Sequence, residues 1–104
     1  MKEKKVVREE RNKEKLTSGD WVMAEFYSIH SLKSSRMHAV IDEFKKLMGG
    51  KVEVVQVNVD EEKTLAEFYT IVHIPTYIFL RKGEQLWRQT GELRLEKAVK
   101  EFMV

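Results

Sequence analysis

A chain of 104 residues, 42% hydrophobic and 35% charged, is long enough for one domain with its own core and too apolar to stay disordered. Its net charge of +2 is unevenly placed, with seven Lys/Arg against four Glu in residues 1–15; this mixed-sign pattern suits a solvated helix, not the basic, aromatic-studded stripe that nucleic acid requires. The cysteine count is zero, which excludes thiolate catalysis, disulfides and zinc–thiolate sites.

No apolar run approaches the ~20 residues of a membrane span, and MKEKKVVREERNKEK lacks the apolar stretch of a signal peptide. The expectation is a cytoplasmic protein with neither a membrane nor a nucleic-acid partner.

In chain order, residues 1–5 are expected to be flexible and 6–16 (VVREERNKEKL) to form a short helix ending near Thr17, with TSGD as the turn. WVMAEFY (21–27) is short and bulky-apolar, so it predicts a buried strand. After SIHSLKSSR comes a single helix with Met37, Val40, Ile41, Phe44, Leu47 and Met48 on one face, stopped by Gly49-Gly50. The β-branched alternation of KVEVVQVNVD (51–60) predicts a strand. EEKTLAEFYT predicts a short helix with Leu65 and either Phe68 or Tyr69 inward. The only proline, Pro75, leads into a strand TYIFLRK, a Lys82-Gly83-Glu84 hairpin turn, a strand QLWRQTG and a final helix LRLEKAVKEFMV. The order α-β-α-β-α-β-β-α implies a parallel pair joined by a crossover helix, then an antiparallel hairpin. One α/β domain over 1–104, a mixed sheet with helices on both faces, is the expected architecture.

Several segments, in this order, resemble the thioredoxin family: VMAEFYS, QVNVDEE, IPTYIFLRKGE and TGEL. The resemblance covers most of the chain from about Glu14. It implies a three-layer α/β/α sandwich with a mixed sheet of about four strands. The family's first edge strand is expected to be short or missing, because only MKEKK precedes VVREE. The strand at 52–58 would then be an exposed edge, open to a partner strand or to a homodimer.

The same resemblance places the family's Cys-x-x-Cys on Ser31-Leu32-Lys33-Ser34, and the preceding Trp on His30. Disulfide exchange needs one thiolate to attack and another to resolve; Ser31 and Ser34 can do neither. The family's buried acid, implicated there in proton transfer, falls on Glu25, and its neighbouring lysine on Gln56. Glu25 either points to solvent or is buried, in which case its pKa rises and Gln56 is the available donor. The family's cis-proline falls on Pro75, and the residue before it, Ile74, would offer backbone groups to an extended peptide.

From the residues themselves, two enzymatic readings arise. Ser31 as a hydrolytic nucleophile would need a base among His30, His38 and His73, yet no acid for a triad is evident. The three histidines as a metal site lack a short ligand spacing. Serines that simply cap a helix are the plain alternative. The leading expectation is a redox-inactive module without cofactor or metal. It would bind a protein or extended peptide, as an adaptor, chaperone-like or assembly factor, at His30, Leu32, His73, Ile74 and Pro75. A true thioredoxin whose cysteines were replaced by engineering is the alternative.

Overall fold

The computed structural model describes residues 2–102, with side chains from Val7 onward. Met1, Met103 and Val104 lie outside the described residues, and with them part of what was expected of residues 1–5 and of the last helix. The elements are α1 (Lys2–Ser18), β1 (Trp21–Tyr27), α2 (Leu32–Arg36), α3 (His38–Met48), a 3-10 turn (Gly49–Lys51), β2 (Glu53–Asn58), α4 (Lys63–Phe68), β3 (Thr76–Arg81), β4 (Glu84–Thr90) and α5 (Leu95–Phe102). The four strands lie in the order β2-β1-β3-β4. β1 and β2 are parallel, whereas β1–β3 and β3–β4 are antiparallel.

Period-2 alternation along the strands divides the core into two. Val22, Ala24, Phe26, Val55, Val57 and Ile78 face the side covered by Leu16 of α1 and Leu65 of α4. Met23, Val52, Tyr77 and Phe79 face Ile41 and Phe44 of α3 and Ala98 of α5. Helix layers therefore cover both faces. The hairpin turn has positive φ at both central residues, Lys82 (49°) and Gly83 (85°), as a tight two-residue connection demands. A Cβ on Gly83 would also sit 2.6 Å from the Thr17 carbonyl, so glycine is needed there twice over.

Three features differ from expectation. α1 starts at Lys2, not Val6. The helix after β1 is broken at Met37, whose N–H bonds back three residues to Ser34 O at 3.0 Å. Ser35 Oγ also back-bonds to the Ser31 carbonyl at 3.3 Å, a habit of serine that bends helices. The buried Met37 sulfur accepts the Leu93 N–H at 3.2 Å, which ties the break to the α5 side of the core. Leu47 is exposed, because the inward stripe of α3 narrows to Ile41, Phe44 and Met48. At α4 the two alternatives resolve as one of them foresaw: Tyr69, just past the helix end, turns inward, and Phe68 stays outside.

No strand lies outside β2 among the described residues, so β2 is an edge. Val59 N–H bonds to Tyr27 O, so odd-numbered β2 residues turn their backbone groups toward β1 and even-numbered ones turn outward. Two of these outward groups are taken by side chains. Asn12 Nδ2 of α1 donates to Gln56 O at 3.3 Å, and Glu62 Oε2 accepts the Asn58 N–H at 2.9 Å. Asn12 also donates to Glu62 Oε1 at 2.7 Å. A helix-borne amide and a buried carboxylate thereby blunt one half of the edge.

Candidate functional site

The loop from β1 to α2 and the loop into β3 leave the same end of the sheet, because Phe26 pairs with Thr76. The first loop is organised by hydroxyls. Ser28 Oγ donates to Asp60 Oδ2 at 2.6 Å and accepts the His30 N–H at 3.1 Å. Ser34 Oγ accepts the Ser28 N–H at 3.3 Å. Ser31, extended at φ −104° and ψ 120°, caps α2 by accepting the Ser34 N–H at 3.2 Å. Ser31 is half-buried and Ser34 buried.

Opposite, the Ile74–Pro75 peptide is cis. Thr76 Oγ1 donates to His73 O at 2.5 Å and Gly91 N–H to Pro75 O at 2.8 Å. Pro75 is buried and Ile74 half-buried, while His30 and His73 are exposed. Neither the N–H nor the C=O of Ile74 has a hydrogen-bond partner among the described residues. Around this rim three large apolar side chains are out in solvent: Leu32 (75% exposed), Val72 (74%) and Ile29 (69%). Of these the sequence pointed only to Leu32; Ile29 and Val72 carry no signal beyond being apolar in a loop.

The enzymatic readings find no assembly. Among the described residues, Ser31 Oγ has no histidine partner. Ser34 Oγ turns inward while His38 lies exposed, so the helical spacing between them brings no contact. No group of three His, Asp or Glu gathers among the described residues in a way that could hold a metal.

Glu25 is buried at 2% exposure, on the α3 face of β1 between the inward Met23 and the Tyr77 of β3. Gln56 Nε2 donates to its Oε1 at 2.8 Å, and the Tyr77 hydroxyl to its Oε2 at 3.0 Å. The strand register sets Gln56, Glu25, Tyr77 and Gln89 side by side across all four strands, a polar row in an apolar layer. Burial pushes the Glu25 carboxyl above its usual range, opposed by the Gln56 and Tyr77 hydrogen bonds and by the charges of His38 and Lys45. Burial and the neighbouring carboxylate push the Tyr77 hydroxyl upward, so it remains a donor. The sequence did not reveal Tyr77's part, since an inward aromatic in a strand looks like core.

Residues 3–103 match the family model described as Thioredoxin. The chain belongs to the thioredoxin family. It is 34% identical over 73 residues to a thioredoxin of Rickettsia felis, covering 70% of each chain. A thioredoxin of Bacillus subtilis is 31% identical over 75 residues, covering 72% of each. Among solved structures, the fold is similar to thioredoxin-2, a component of the protein secretion machinery of the malaria parasite. That match has a TM-score of 0.76 at 17% identity, covering 79% of this chain and 80% of the other. Within the family's fold, this chain has no cysteine and places Ser31 and Ser34 at the start of α2. Among the described residues, no helix is long and apolar enough to cross a membrane.

Proposed function

We propose that this protein is a redox-inactive thioredoxin-family module that binds an extended peptide or protein segment across the Ser31–Pro75 rim. The chemistry supports inactivity: a hydroxyl has no counterpart to the mixed disulfide through which thiol exchange runs. The observation that carries the binding reading is the set of exposed side chains, Ile29, Leu32 and Val72, around the unpartnered backbone of Ile74. Solvent-facing apolar groups beside open N–H and C=O groups fit an extended chain, which brings its own backbone partners and side chains to bury. An adaptor, chaperone-like or assembly role follows from that use of the rim.

The test selects binders from a library of extended peptides on the immobilised protein and repeats the measurement on Ile74→Arg. Circular dichroism must show that the variant keeps its fold. Loss of binding by at least about tenfold is expected, because a guanidinium replaces apolar contact at the centre of the interface. Unchanged affinity moves function away from this rim.

A further inference from the structure

A second groove lies between α1 and α4, on the sheet face away from α3, and shares no residue with the rim or the polar row of Glu25. It encloses about 530 Å³. Its floor is the buried Leu65, and one wall is the ring of Phe68, 56% exposed. That ring meets Tyr69 edge-on, with centroids 5.0 Å apart, and carries the Lys13 ammonium 4.6 Å from its centre.

The electrostatics of the groove run against those of the chain. Glu9, Glu10 and Glu67 line it against the single cation Lys13, in a protein of net charge +2. Glu9 is committed, since its Oε2 accepts the Leu65 N–H at 2.7 Å and ties α4 to α1. The carboxylates of Glu10 and Glu67 have no hydrogen bond or ion pair among the described residues. An apolar floor, an aromatic face that already holds a cation, and two unengaged carboxylates make a site for one kind of occupant.

We infer that the α1–α4 groove docks a protein segment presenting an apolar side chain flanked by Arg or Lys. The apolar group fills the space over Leu65 and against Phe68. One cation replaces Lys13 on the ring, where arginine stacks well, and its neighbour meets Glu10 and Glu67. This inference is independent of peptide binding at the rim.

The test titrates the isotope-labelled full chain with acetyl-Arg-Leu-Arg-amide and, separately, with acetyl-Glu-Leu-Glu-amide, and follows backbone amide shifts. Saturable shifts in Glu9–Lys13 and Thr64–Phe68 are expected from the first peptide and none from the second. Glu10→Gln combined with Glu67→Gln weakens the first peptide by about tenfold at low salt. Phe68→Ala abolishes its binding, whereas Lys13→Ala strengthens it by uncovering the ring. All of these residues except Phe68 sit on exposed charged positions, so a folded spectrum is expected throughout. The inference is overturned by the absence of shifts, by equal shifts from both peptides, or by shifts confined to Ile29, Leu32 and Val72. It is also overturned if the groove amides shift with protein concentration alone, which would make a second copy the occupant.

Discussion

Two carboxylates, Glu25 and Glu62, are almost fully buried, 2% and 1% exposed, at opposite sides of β2. Glu62 receives a backbone N–H from Asn58 and an amide N–H from Asn12, and so joins α1, β2 and the start of α4. Glu25 receives only side-chain donors, Gln56 and Tyr77, and burial outweighs them in lifting its pKa. One acid is part of the scaffold. The other is held by two side chains of neighbouring strands and ties no helix to the sheet. The difference separates an acid whose hydrogen bonds join elements of the fold from one whose burial works against its charge.

The largest expected effect of breaking that contrast is at Glu62. Glu62→Ala leaves the Asn12 amide and the Asn58 N–H buried without partners, and costs about 3 kcal/mol in urea unfolding. Glu62→Gln keeps an acceptor and costs less. Asn12→Ala removes one donor to Glu62 and one to the β2 edge, at about 1–2 kcal/mol. It also uncovers the Gln56 carbonyl, so concentration-dependent self-association by sedimentation is expected to rise.

Glu25→Gln is expected to act in the opposite direction, stabilising at neutral pH by about 1 kcal/mol, because the buried charge disappears while Gln56 keeps a carbonyl acceptor and the Tyr77 hydroxyl turns to accept from the new amide. Its pH dependence sharpens the point. The native acid holds its proton to higher pH than the unfolded chain, whose value is the usual 4.5. Between 4.5 and the raised native value the folded state binds more protons. Stability is therefore greatest below that window, falls as pH rises through the native pKa, and levels off above it. Urea midpoints of the unaltered chain and of Glu25→Gln should converge in acid and diverge toward neutrality. A constant gap, or a loss of stability in Glu25→Gln at neutral pH, would make Glu25 another scaffold acid.

The family's fold was legible because its signals are local and redundant. The bulky apolar run of β1, the alternation of β2, and the Lys-Gly turn each fix an element without reference to the others. The break at Met37 was not legible, since the helical spacing of apolar residues runs through it and the contact of its sulfur with the Leu93 N–H spans 56 residues. The part of Tyr77 was equally illegible: only strand register brings it to Glu25. Ser31 and Ser34 were readable as positions, through the resemblance, and Ser31 also as a cap, through serine's preference for helix starts. What the rim presents to a partner was readable only in part, because the exposure of Ile29 and Val72 is a property of the folded surface.

The central proposal is that the rim binds an extended chain without redox chemistry. Amide shift mapping with a peptide selected on the immobilised protein tests it most directly. The account predicts saturable shifts centred on Ile29–Leu32 and His73–Ile74, absent in Ile74→Arg, with the α1–α4 groove undisturbed. Shifts centred on β2 or on the α1–α4 groove, with the His73–Ile74 amides unmoved, would contradict it.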